Sequence, residues 1–252
     1  MRVLNIGAIL AKNGINAHCF DTVESTNTLA KQAAMENEKE WTVFVADRQT
    51  GGRGRMGRQF YSPDGGLYFS VILRRALTCD TSLLITTAAA VAARDAIRSV
   101  FGKDADIKWV NDIILSGKKV CGILAESAIM GNTAAFTVLG LGVNLFGDKT
   151  AVPDELKNIM GFVSDAPADE QKKAAFIAEF LKGFKGYYVN LENKPHLFSY
   201  RENLIVGCEA TILRGDREEG ARIIGLDDDF KLIAATEKGE EKLSFGEVRL
   251  RL

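Results

Sequence analysis

Histidine is almost missing from this 252-residue chain: His18 and His196 are the only two. The four cysteines, Cys19, Cys79, Cys121 and Cys208, lie far apart and form no C-x-x-C pair. So sparse a set excludes a zinc finger and a disulfide framework. It fits reduced thiols in a cytoplasmic protein, packed as small apolar side chains. No apolar run reaches the roughly 18 residues that cross a bilayer. The opening "MRVLNIGAIL" lacks the apolar core and small-residue cleavage site of a secretory signal, so it reads as mature protein. Charge of either sign is not in excess, with 32 basic residues against 33 acidic ones. That balance excludes clamping of long nucleic acid by bulk electrostatics but leaves room for a local basic patch. There is no internal repeat and no low-complexity segment.

What is present is a 46% hydrophobic chain, enough for one large domain or one domain plus a small module. Helix formers follow a Ser/Thr/Asn cluster at 26–36, and Ala-rich residues 82–101 predict the clearest helix, with Asp80 or Thr81 as its cap. Aromatic and aliphatic residues at helical spacing mark a third helix over 170–191. Strands are predicted at 42–47, 65–74 and 134–146, and on either side of a Ser116-Gly117 turn. After about Asn203 the texture changes to short alternating strands with turns at Arg214-Gly215-Asp216, Asp227-Asp228-Asp229 and Lys238-Gly239-Glu240. The expectation is an α+β, mixed-sheet domain over residues 1–203 and a small SH3-like β-barrel over 204–252.

The most informative stretch is "TGGRGRMGRQF" (50–60), which spells G-x-G-x-x-G at Gly52, Gly54 and Gly57. A dinucleotide fingerprint requires a helix after the last glycine, and "RQFYSPDGG" breaks one. An Arg-Gly nucleic-acid tract is long and disordered, whereas this stretch lies between two predicted strands. A solvated loop of incidental charge is the bland reading. Four arginines and four glycines between Arg48 and Arg58 favour a different use. Glycines let backbone N–H groups face an anion, and arginines supply planar bidentate donors for phosphate or carboxylate. Lys108–Asp112 ("KWVND"), the lysines of "GKKVCGILAE" and the glycines of "GLGVNL" could join such an anion site, though each alone is more often a surface turn.

Taken in order, "ESTN" (24–27), "DRQTGGRGRMGRQFYSP" (47–63), "KWVND", "GKKVCGILAE" (117–126) and "GLGVNL" (140–145) resemble the biotin–protein ligases. The match spans about 120 residues, and GRGRxGR followed by Ser-Pro is its most specific part. The resemblance implies the class II aminoacyl-tRNA synthetase/biotin ligase type of fold. It implies formation of biotinyl-5′-AMP from biotin and ATP, with Mg²⁺ accompanying ATP, then transfer of biotin to a lysine of a biotin carboxyl carrier protein. By position, Ser25, Thr26, Asn27 and Gln49, with the backbone of Arg53, would hold the ureido ring of biotin. Gly52, Arg55 and Arg58 would hold phosphates, and Gly122 would give close approach to biotin. Lys119 would lie on the biotin carbonyl and α-phosphate; Lys119, Arg55 and Arg58 form the expected catalytic set. Asn111, Asp112, Phe60, Gly142 and Asn144 complete the expected adenylate side, with Asp112 pairing to a loop arginine. No metal ligands are assigned.

Two positions depart from the family pattern. Val110 replaces the proline of Lys-Trp-Pro-Asn-Asp, and Phe60 stands where a tryptophan covers adenine. Only 24 residues precede Ser25, so no DNA-binding domain and no role in repression is expected. No membrane role is expected, and a homodimer is allowed. The rivals are a lipoate–protein ligase or octanoyl transferase of the same fold, and a nucleic-acid-binding protein. Glycine content and charge repulsion further predict that the 50–60 loop is disordered until ligand binds.

Overall fold

The computed structural model describes residues 6–75, 81–130, 133–214, 217–244 and 248–250. Cys79, the Asp80 cap and the Gly215-Asp216 turn lie outside the described residues, as does the side chain of Thr81. In chain order the elements begin with helix α1 (Ile6–Lys12), strand β1 (Ala17–Val23), helix α2 (Thr26–Met35) and strands β2 (Val43–Gln49) and β3 (Leu67–Leu73). Helix α3 (Thr81–Phe101) follows, then β4 (Asp106–Lys108), β5 (Asp112–Leu115), β6 (Lys118–Met130) and β7 (Thr133–Val143). Helices α4 (Glu170–Tyr188) and α5 (Leu197–Glu202) lead to β8 (Glu209–Arg214), β9 (Arg217–Leu226), β10 (Leu232–Thr236), β11 (Gly239–Leu243) and β12 (Val248–Leu250).

The first seven strands form one mixed sheet in the order β1-β2-β3-β7-β6-β5-β4. Among the described strands of this sheet the β1–β2 pair is parallel and the other adjacent pairs are antiparallel. The last five form a separate antiparallel sheet, β11-β10-β9-β8-β12, consistent with an SH3-like module. Period-two alternation decides which face each strand residue serves. Leu67, Phe69, Val71 and Leu73 of β3 join Leu139, Leu141 and Val143 of β7 in the main core. Against them pack the alanines of α3 and Phe176, Phe180 and Phe184 of α4; the Phe180 and Phe184 rings stack at 5.7 Å. The alternate residues, Phe44, Ile72 and Val138, meet Ala30 and Ala34 of α2 in a smaller cluster. The sheet therefore has a thick apolar side and a second side that α2 covers only in part. On that second side, β7 offers Gly140 and Gly142, and β6 offers Gly122 opposite Gly142.

The two sheets share one apolar core, which takes in Ala210, Ile212, Ile223, Phe230 and Leu232. Phe230 is wholly buried in the β9–β10 turn, and its carbonyl accepts from Trp109 Nε1 at 2.9 Å. Its ring meets that of Tyr200 edge-on at 5.5 Å and stacks on His196 at 4.9 Å. Cys19, Cys121 and Cys208 are unpaired. Burial pushes the Cys121 thiol up to about 12, so it packs as an apolar group.

Candidate functional site

The loop after β2 folds as a short hairpin rather than opening a helix. Gly54 N donates to Arg58 O at 2.7 Å and Phe60 N to Gly52 O at 2.9 Å, around a single 3₁₀ turn at Arg55–Gly57. Met56 at its tip has φ 56° and Gly57 φ 72°, so the reversal uses left-handed backbone twice. The hairpin lies over the glycine side of the sheet and encloses a cavity of about 290 Å³. Of the expected residues, the structure brings Ser25, Thr26, Asn27, Gln49, Arg53, Arg55, Arg58, Phe60, Asn111, Asp112, Lys119, Gly122 and Gly142 onto its wall.

One end of the cavity is polar and hydrogen-bonded. Ser25 is the N-cap residue of α2, yet its hydroxyl makes no capping bond, although only 2% of the residue is exposed. The carbonyl oxygen of Gln49 accepts from Thr26 N at 2.9 Å and lies 3.1 Å from Thr26 Oγ1. Ser70, the one serine in the apolar strand β3, lies 2.8 Å from Thr26 Oγ1 and donates to Asn27 Oδ1 at 2.6 Å. Asn27 Nδ2 donates to Glu126 at 2.8 Å, and Glu126 is ion-paired to Arg53 at 3.0 Å.

The floor is glycine. A Cβ on Gly122 or Gly142 would run into the Phe60 ring, and one on Gly140 would run into Asn27. Such approach is open only to glycine. The opposite end is cationic, because Arg55, Arg58, Lys108 and Lys119 share it with one carboxylate, Asp112. Lys119 Nζ sits 2.7 Å from Asp112 Oδ1 and 5.3 Å above the centre of the Phe60 ring. Arg55 donates to Asn111 Oδ1 at 2.9 Å, and Asn111 Nδ2 to Ile123 O at 2.8 Å. Burial lowers the Arg55 and Lys108 pKa values, and the nearby Asp112 charge opposes both shifts. The cations thus face the cavity partly stripped of water, where an anion gains most from them.

Several expected positions have structural partners of their own. Gly52 lies behind the hairpin, where a side chain would strike Phe60 O and Ser62 Oγ; it lets the hairpin close. Asn144 is buried behind the cationic end and donates to Lys119 O at 3.3 Å, so it steadies Lys119 from outside the described wall. The Asn111 amide is engaged by Arg55 and Ile123 O. Asp112 is ion-paired with Lys119, and its charge also acts on the loop arginine Arg55. Phe60 rests on the glycine floor between the two ends. Bonds from Arg53 and Arg55 to Glu126 and Asn111 are sources of loop order that glycine content does not reveal. Lys108 and Gly140, from stretches read as possible parts of an anion site, also reach the wall, as do Leu124 and, from the second sheet, Leu213, which the sequence did not single out. Ser70 had a signal, since a small polar side chain inside "LYFSVIL" must find buried partners; Leu213 had none.

Among the described residues no three His, Cys, Asp or Glu side chains gather to hold a metal ion, and the nearest carboxylate, Asp112, is paired with Lys119. These residues do not form a cage for Mg²⁺. No described helix is long and apolar enough to cross a membrane.

The profile of the Biotin/lipoate A/B protein ligase family matches residues 19–144. The chain is 33% identical over 239 residues to the Bifunctional ligase/repressor BirA of Bacillus subtilis, covering 91% of this chain and 72% of that protein. It is 37% identical over 127 residues to the Biotin–[acetyl-CoA-carboxylase] ligase of Paracoccus denitrificans, covering 49% and 52% of the two chains. Its fold is similar to that of the Aquifex aeolicus biotin protein ligase solved with biotin and ATP. The TM-score is 0.76 at 24% identity, over 94% of this chain and 98% of that one.

Proposed function

This chain belongs to the Biotin/lipoate A/B protein ligase family, and from that premise we propose that it is an ATP-dependent biotin–protein ligase. The observation that carries the reading is the two-ended cavity. A hydrogen-bonding end whose Arg53 and Glu126 charges neutralise each other, a glycine floor and a cationic end match a ligand with a cyclic urea at one end and a carboxylate at the other. The relative named as a biotin–[acetyl-CoA-carboxylase] ligase favours biotin over lipoate, which has no urea to satisfy that polar end.

In the proposed first step the carboxylate oxygen of biotin attacks the α-phosphorus of ATP. A P–O bond forms, the bond to the β-phosphate oxygen breaks, and pyrophosphate leaves with the electron pair. The carboxylate is already ionised at neutral pH, so no general base is required. The need is for positioning and for neutralising charge on the phosphates. Ser25, Thr26 and Gln49 would hold the urea, with Gly122 and Gly142 beneath the rest of biotin. Lys119 would bridge the carboxylate and α-phosphate, and Arg55, Arg58 and Lys108 would face the phosphates. In the second step the amine of a carrier-protein lysine attacks the acyl carbon. An amide forms, AMP leaves and the amine loses a proton to solvent. The carrier is proposed to be a biotin carboxyl carrier protein.

The test is exchange of labelled pyrophosphate into ATP. Exchange should require biotin and be negligible with lipoate. Equal exchange with lipoate, or none with biotin, overturns the proposal.

A further inference from the structure

Glu126 lies on β6 with the same parity as Gly122 and Leu124, so it faces the cavity side of the sheet at its polar end. Its two carboxylate oxygens are divided between two elements. Oε2 accepts from Asn27 Nδ2 of α2 at 2.8 Å, and Oε1 pairs with Arg53 Nη2 of the hairpin at 3.0 Å. Followed onward, Ser70 donates to Asn27, the Thr26 hydroxyl is left to donate to Ser70, and the Thr26 N–H donates to the Gln49 side-chain oxygen. Gln49 is the last residue of β2, and Arg53 stands four residues further along the same chain. The bonds therefore make a closed ring that starts and ends at the root of the hairpin. It passes through α2, β3 and β6 beneath the cavity.

The ring also fixes orientations. Thr26 N–H requires that Gln49 present its carbonyl oxygen, and Glu126 requires that Asn27 present its NH₂. Glu126 is the only ionised acceptor in the ring, and its side chain is 22% exposed against 50% for Arg53. A carboxylate in that setting would be costly if unpaired. Its partners are the hairpin and the helix whose side chains face the ligand.

Resting on the ligase reading above, we propose that Glu126 is a positioning residue for that reaction: it ties the Arg53 hairpin to the Thr26–Asn27 wall and so sets affinity for the neutral ring end of biotin, without touching the reacting atoms. Glu126→Gln keeps an acceptor for Asn27 and removes the charge facing Arg53. The KM for biotin should rise roughly five- to tenfold, a charge-assisted bond discounted for the exposure of Arg53. The kcat of pyrophosphate exchange should change far less. Arg53→Gln should raise the same KM, and the double variant should be no worse than the poorer single one, because both remove one interaction. Additive KM effects, an unchanged KM in Glu126→Gln, or a loss confined to kcat would each overturn the proposal. Trypsin cleavage at Arg53, Arg55 and Arg58 gives a readout independent of activity. With no ligand added, Glu126→Gln should be cut several-fold faster than the parent protein at equal global stability. If the parent shows no biotin-dependent exchange, the ligase reading fails. The cleavage rates still decide the anchoring, and equal rates would overturn it.

Discussion

At the scale of single residues the site is an exercise in holding cations near one another. Lys119 and Lys108 are both within electrostatic reach of Asp112, and Asn111 holds Arg55. Such preorganised charge acts on a transition state without reorganising, and losing one such group commonly costs about 10² to 10³ in rate. Lys119→Ala should reduce biotin-dependent pyrophosphate exchange by about that factor. Its melting temperature should stay near that of the parent, since the Lys119 side chain is at the cavity wall and not in the core. Exchange within threefold of the parent would remove Lys119 from the catalytic set. The clustering was legible in the sequence, because the loop packs four arginines and four glycines between Arg48 and Arg58 and the other stretches follow it in a specific order. Asn144 and Gly52 were legible as parts of the site but not in their places. An amide or a glycine reads the same whether it faces the ligand or supports the residue that does.

Elements were legible in proportion to their periodicity. The Ala-rich α3 and the Phe-bearing α4 declare an apolar face, and β2, β3 and β7 declare buried strands. Strand β1 and helix α1 went unread. In β1, an edge strand, no residue is fully buried, so its composition is mixed, and α1 is only seven residues long. Helix α5 is shorter still, yet its N-cap residue, His196, joins three elements. The ring is wholly buried against Phe230 and Tyr187, and Nε2 lies 2.8 Å from Thr87 Oγ1 of α3. The Thr87 hydroxyl also donates to Leu83 O at 2.9 Å, and His196 Nδ1 has no hydrogen-bond partner among the described residues. Burial lowers the His196 pKa from 6.5 to about 4. The unfolded chain then binds more protons than the folded one between those values. Stability is therefore complete above about pH 6.5 and is lost as pH falls toward 4, by roughly 3 kcal/mol from this group. Melting temperatures measured from pH 7 to pH 4.5 should fall less steeply for His196→Gln than for the parent. Parallel curves would show that other groups dominate the acid limb.

For the molecule as a whole, the small second sheet is not an appendage. Leu213 reaches the cavity wall, and Phe230 holds Trp109 beside it, so the site is assembled from both sheets. The sequence announced the second sheet through its change of texture. It could not announce this docking, because a buried phenylalanine in a turn reads as an exposed one until its neighbours are known. The β6–β7 pair has a further consequence, for the order of assembly. Its ten paired positions, from Cys121↔Val143 to Met130↔Thr133, are neighbours along the chain, so they close with little loss of entropy. The β3–β7 and α3–α4 contacts join residues much farther apart in sequence. The glycine floor is thus expected to form in the folding nucleus, with the hairpin and second sheet condensing on it afterwards. Leu139→Ala should slow refolding in proportion to its destabilisation, whereas Ile223→Ala should chiefly hasten unfolding. The reverse pattern in stopped-flow chevrons would place the nucleus elsewhere. A chain that builds its ligand floor first carries its recognition surface in the part that is native earliest.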